Sequence, residues 1–155
     1  ELALVKVPAV VEVVRRVLGE GEKVVVFAHH RDVVAKLKEA FPNAAVLVGG
    51  MSAKKKDEAE RRFQNEPDCR VFIGNIEAAG QAIRLDAADT VVYAEISWSP
   101  GDMEQTEDRV WDVTKGRMVS IIRVVIEGTM DEQMSYVVDK RIKDKRAAME
   151  YRGAE

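Results

Sequence analysis

A chain of 155 residues, 46% of them apolar and 33% charged, is long enough to bury one core and too short for two ordinary domains. Its formal charge of -3 excludes a surface that is basic all round, and its uninterrupted apolar runs, such as Val24–Ala28, fall far short of the roughly 20 residues that span a bilayer. No secretory signal pattern is present, and the single cysteine, Cys69, excludes an internal disulfide framework and fits a reducing compartment.

Short β-branched runs alternate with longer amphipathic segments. In chain order the pattern predicts a helix over Pro8–Leu18, ended by Gly19 and Gly21, and then a strand over Lys23–Ala28. A helix over Asp32–Ala40, a strand over Ala45–Val48 and a helix over Ala53–Asn65 with Ser52 as its cap follow. Cys69 opens the next strand, Arg70–Ile73, and is expected to be inert core. Thr90–Ala94 reads as a strand, Asp102–Val113 as a helix introduced by Gly101, and Ser120–Ile126 as a strand. A long last helix is predicted over Met130–Met149, with Asp131 and Glu132 near its positive end and basic residues toward its negative end. Nearly continuous apolar strands imply a sheet covered on both faces, hence one three-layer α/β/α domain with a mainly parallel sheet.

In such a sheet the functional loops gather at the carboxyl ends of the strands. His29-His30, Gly49–Ser52, Gly74–Leu85 and Glu95–Gln105 should therefore meet along one edge. Gln105 and Arg109, four residues apart on a predicted helix, share one face, where a guanidinium can meet a transferring phosphate. Spacing alone leaves open the alternative of an exposed helix patterned for salt bridges. Two basic groups stand out: Lys54, Lys55, Lys56, Arg61 and Arg62, and further on Lys140, Arg141, Lys143, Lys145 and Arg146. Each is read either as a phosphate-facing patch or as a solvated face.

Other patterns are set aside. Asp57-Glu58-Ala59-Glu60 resembles an acidic metal-binding box, but it sits inside a polar helix and not at the end of a buried strand. His29-His30 has no Cys/His partners at ligand spacing, so no metal site is expected. Trp98 and Trp111 read better as packing residues than as stacking platforms. No Gly-x-x-x-x-Gly-Lys-Ser/Thr loop occurs, and His29-His30-Arg31-Asp32 stands where a dinucleotide fold would need a glycine-rich turn.

The segment Trp98–Arg117, Trp-Ser-Pro-Gly-Asp-Met-Glu-Gln-Thr-Glu-Asp-Arg-Val-Trp-Asp-Val-Thr-Lys-Gly-Arg, resembles the arginine-bearing sixth motif of superfamily-2 helicase-like ATPases of the SWI/SNF type. Four further blocks follow the order of that family. Leu2–Val14 is similar to the helix leading into the second lobe, and Lys23–His30 to the fourth motif. Gly74–Glu95 is similar to the fifth motif, and Glu127–Glu132, Glu-Gly-Thr-Met-Asp-Glu, to the segment that closes the lobe. The likeness is nearest to the annealing-helicase branch and to bacterial or phage relatives.

This resemblance implies a RecA-like carboxy-terminal helicase lobe, one half of an ATP-driven DNA motor. ATP and Mg²⁺ would bind only together with an amino-terminal lobe of the same protein, and the chain alone would not hydrolyse ATP. Carried onto matching positions, Gln105 and Arg109 would act on the nucleotide and Gly80 would let the backbone approach it. His30, Gly50, Ser52 and Lys54 would face the DNA backbone without reading sequence. Departures fall at working positions: Asp112 replaces a second arginine, Trp111 a histidine, and Thr114-Lys115 a Gly-Gln pair. Glu77 stands for a threonine and Gln81-Ala82 for an apolar-glycine pair. They keep open a catalytically degenerate lobe that serves as a DNA- or protein-binding module. With Glu and not Met at position 1, the chain is expected to be a piece of a larger, intracellular protein (cytoplasmic, or nucleoid or nuclear), monomeric and with no membrane contact.

Overall fold

The computed structural model describes residues 2–78, 83–95, 118–124 and 138–142. Helix α1 (Leu2–Val5) leads into α2 (Val7–Gly19), where Pro8 occupies the first turn and costs no intrahelical bond. Gly21 ends α2 in the left-handed region (φ 87°), which places its amide on Leu18 O at 3.0 Å. Strand β1 (Val24–Ala28), α3 (Arg31–Ala40), β2 (Ala45–Leu47), α4 (Ala53–Asn65) and β3 (Val71–Asn75) follow. Beyond them lie β4 (Thr90–Tyr93), β5 (Met118–Arg123) and β6 (Val138–Ile142).

The strands form one sheet in the order β2-β3-β1-β4-β5-β6. The first five are parallel, and β6 runs antiparallel to β5. The period of two along each strand sorts the core into two halves. Val24, Val26 and Ala28 pack with Val10, Val14 and Val17 of α2 and with Val33, Val34 and Leu37 of α3. Val25 and Phe27 point the other way, into a cluster with Phe72, Tyr93 and the α4 residues Ala59 and Phe63. Helices thus cover both faces, as the strand composition predicts. Cys69 is fully buried in the second cluster.

Gly74 has a packing reason. A Cβ there would come within 3.0 Å of the Phe72 ring and 3.2 Å of the Phe27 ring, so the bare backbone makes room for two fully buried aromatics. Below the sheet, Lys23 closes the end of α4. Its ammonium donates to Phe63 O and, at 2.8 Å, to Glu66 O, and lies 5.2 Å from the centre of the Phe63 ring. Cations on the last carbonyls of a helix complement its dipole, while burial holds the Lys23 amine below its ordinary value.

The predicted long carboxy-terminal helix is corrected in part. Residues Val138–Ile142, inside the expected Met130–Met149 helix, form strand β6, with Ser120 opposite Lys140 and Ile121 opposite Asp139. Without β6 the strand β5 would leave a row of amides and carbonyls unpaired at the sheet edge, and pairing with β6 satisfies them. Lysine- and arginine-rich sequence suits an edge strand as well as a helix end, so the charge pattern misled. The predicted Asp102–Val113 helix lies outside the described residues.

Candidate functional site

The loops at the carboxyl ends of β1, β2, β3 and β4 are tied to one another through side chains. Glu95, two residues past the end of β4, is only 6% exposed. One of its carboxylate oxygens accepts the amides of His29 at 2.5 Å and His30 at 2.7 Å, and the other bonds Nδ1 of His30. Burial pushes the Glu95 carboxyl up. The His30 ring bond and the two backbone amides outweigh burial and hold it below the usual carboxylate range. From β3, the Asn75 amide donates to His29 O at 2.8 Å, and its Oδ1 accepts the amides of Glu77 at 3.0 Å and Ala78 at 3.3 Å. Glu77 Oε1 stands 3.9 Å from His29 Nδ1. Arg31 at the start of α3 donates to Gly49 O at 3.3 Å, which joins the β2 turn to the same edge.

The β2–α4 turn is built for a helix start. Gly50 adopts φ 84°, a conformation that a Cβ would strain, and Ser52 Oγ accepts the Lys55 amide at 3.2 Å as the predicted cap. Exposed Lys54 and Lys55 follow in the first turn of α4. The basic group read from the sequence divides here. Arg62 lies about 12 Å farther along the helix than Lys54, at 1.5 Å per residue. It donates to Asn43 O at 3.1 Å, and both Arg61 and Arg62 stand 3.6 Å from Glu66. Those arginines brace the far end of α4, so only Lys54–Lys56 remain at the loop edge. Asp57, Glu58 and Glu60 lie on α4, as expected of helix residues and not of a strand-end metal box. A cavity of about 300 Å³ beside α4 is lined by Lys56, Asp57, Glu60, Leu47, Ala78 and Ile83. Two carboxylates to one ammonium make it a poor seat for a polyphosphate.

Of the predicted site residues, His30, Gly50, Ser52 and Lys54 lie at the carboxyl ends of β1 and β2, and the Arg31–Gly49 bond spans the two turns. Gly80, Gln105 and Arg109 lie outside the described residues, as do Asp112, Trp98 and Trp111. Two residues that hold the edge together, Glu95 and Asn75, were missed by sequence reasoning. Each is a polar side chain directly at the carboxyl end of an otherwise apolar strand, and that contrast was the available signal. Among the described residues no group of three potential metal ligands occurs, and no helix is long and apolar enough to cross a membrane.

Comparison with known proteins fits this geometry. Residues 6–114 match the helicase conserved C-terminal domain. The chain is 32% identical over 146 residues to the human DNA annealing helicase and endonuclease ZRANB3, covering 91% of the chain and 14% of that protein. It is also 32% identical over 143 residues to the SWI/SNF-related matrix-associated actin-dependent regulator of chromatin subfamily A-like protein 1 of Xenopus tropicalis, covering 89% of the chain and 15% of the relative. The chain thus spans about one seventh of the length of these relatives. Among solved structures, the C-terminal part of the Fun30 ATPase domain superposes with a TM-score of 0.76 at 22% identity, over 83% of this chain and 43% of that one. The Sulfolobus solfataricus SWI2/SNF2 ATPase core domain superposes with a TM-score of 0.66 at 21% identity, over 79% and 26% of the two chains. With a RecA-like sheet and a family match over most of its length, the chain belongs to the helicase conserved C-terminal domain family, in its SWI/SNF-related branch.

Proposed function

We propose that this chain is the carboxy-terminal lobe of an ATP-dependent DNA translocase, with its loop edge turned toward DNA and toward an amino-terminal lobe of the same protein. The observation that carries this reading is the joined edge itself: four strand-end loops, bonded through Glu95, Asn75 and Arg31, in a family whose members are helicases. A surface shared by two ligands needs such rigidity, because a displacement near 1 Å at a reacting centre costs about 10²-fold in rate.

On this reading the turn at Gly50, the capped start of α4 at Ser52, Lys54 and His30 meet the phosphodiester backbone. Amides at a helix start and a nearby ammonium suit phosphate and carry no sequence information. Gln105 and Arg109, with Gly80 allowing close approach, complete an ATP site whose phosphate loop and Mg²⁺ ligands belong to the other lobe. Arg109 stabilises the charge that develops on the transferring phosphoryl group, and the isolated chain neither holds ATP tightly nor hydrolyses it. The DNA-stimulated ATPase of the protein carrying both lobes tests the role. Arg109→Ala should lower the rate by about 10³-fold or more, and an unchanged rate excludes it.

A second reading, a non-catalytic lobe that binds DNA or protein, is favoured by two residues. Glu77 presents a carboxylate at the loop edge, with its side chain 70% exposed, and Asp112 reverses a charge in the arginine motif. The same ATPase measurement separates the two readings. No DNA-stimulated turnover in the unsubstituted two-lobe protein selects the second.

A further inference from the structure

Glu95 ties the end of β4 to the β1 loop, yet neither the matched motifs nor the proposed DNA contacts give it a role. Its carboxylate accepts three hydrogen bonds from one dipeptide, the amides of His29 and His30 and the His30 ring. An ionised carboxylate has no proton to donate. The proton in the ring contact therefore belongs to Nδ1 of His30. That leaves Nε2 as the ring nitrogen available to a ligand, on a side chain 65% exposed beside a carboxylate that is 8% exposed. Among the described residues, the neighbouring charged and titratable groups are the His29 ring, 5.0 Å away and edge-on, Glu77 beyond β3, and Arg31 and Asp32 opening α3.

A phosphodiester oxygen is also only an acceptor. A histidine whose Nδ1 donates to a carboxylate can bond phosphate through Nε2 only if both nitrogens carry protons. We infer that Glu95 is a positioning residue that orients His30 to bridge two anions, the internal carboxylate on Nδ1 and a DNA phosphate on Nε2. The second proton passes from a solvent hydronium to Nε2 as DNA binds, forming that N–H bond and leaving water. The inference rests on the reading that this edge faces DNA.

Glutamine at position 95 separates this from a general electrostatic or structural role. Its single carbonyl can keep the two backbone amides, which turns the NH₂ group toward Nδ1. Nδ1 must then be bare, Nε2 carries the only ring proton, and phosphate is met by a neutral imidazole. Removing a carboxylate near a polyanion should strengthen binding if simple repulsion ruled. The bridge predicts the reverse, a loss of roughly fivefold, the difference between a charge-assisted and a neutral hydrogen bond.

The test is nitrogen-resolved NMR of histidine-labelled chain, free and bound to a short duplex at about 50 mM salt, alongside duplex titrations. The expected result is a proton on Nδ1 of His30 in the free chain and on both nitrogens in the complex. Glu95→Gln should show Nε2–H alone in both states with weaker binding, and should add no further loss to His30→Gln. A bare Nδ1 in the unsubstituted free chain overturns the inference without any variant, should Glu95→Gln fail to fold. A singly protonated ring in the complex overturns it too, as does Glu77→Gln reproducing the effects of Glu95→Gln. A chain with no affinity for duplex overturns the DNA reading and the bridge together. One that binds normally with an unbridged His30 overturns the bridge alone.

Discussion

Substituting Gly74 by alanine puts one methyl group where the sheet has no space for it. The added carbon meets the Phe72 ring at 3.0 Å and the Phe27 ring at 3.2 and 3.3 Å. Phe72 is two residues back on the same face of β3, and Phe27 is the register partner of Gly74 on β1, so the methyl is squeezed from along and across the sheet. Neither ring has an easy retreat. Both are fully buried, with Tyr93 5.7 Å from Phe27 and Phe63 5.5 Å from Phe72, centre to centre. Overpacking of this kind costs about 1–3 kcal/mol. Replacing glycine returns about 0.4–1 kcal/mol by narrowing the unfolded ensemble, so a net loss of about 1–2 kcal/mol is expected. For a chain of this length that lowers the midpoint of thermal unfolding by about 3–6 °C. Circular dichroism melts and urea titrations read the change directly. Phe72→Leu, which vacates the contacted ring edge, should lose less in the Gly74→Ala background than in the unsubstituted chain. A Gly74→Ala chain as stable as the parent would mean that the two rings repack freely, and it would refute the account of this glycine.

Ser52→Ala removes the oxygen that accepts the Lys55 amide and should cost about 1 kcal/mol in urea unfolding, with no change in the slope of the transition. Glu95 gives an acid limb to stability. Its folded carboxyl lies below the ordinary value, so its contribution is complete above the unfolded value of about 4.3 and is lost as pH falls through the folded one. The urea midpoint of the parent should therefore drop more steeply between about pH 5 and 3 than that of Glu95→Gln, and parallel curves would contradict this. Duplex affinity of the chain should fall steeply between 50 and 200 mM salt, and Lys54→Ala should reduce the slope of log K against log salt by about 0.9. An unchanged slope would remove Lys54 from the DNA surface.

What the sequence disclosed and what it hid follow from the range of the interactions involved. The Ala53–Asn65 helix was legible to the residue because its start is fixed by the adjacent Gly50 and Ser52, and its apolar positions Ala59 and Phe63 fall at helical spacing. The β1 strand was legible because both of its faces are buried, which leaves no polar residue to blur it. By contrast, β6 is a strand only because β5 offers an edge to pair with, a long-range fact that no window of sequence contains. The basic group was misjudged for a related reason. Lys54 and Arg62 are near in sequence, but Arg62 is held at the far end of α4 by Asn43 and Glu66, partners outside that run. Glu95 is the sharpest case. It read as the first residue of a loop, and only the sheet order, with β4 beside β1, brings its carboxylate onto amides 65 and 66 positions earlier in the chain. Motif matching finds residues that touch ligands. A residue that acts by holding those residues in place shows itself only once the strands are side by side, which is why Glu95, although inside a matched block, was given no role of its own.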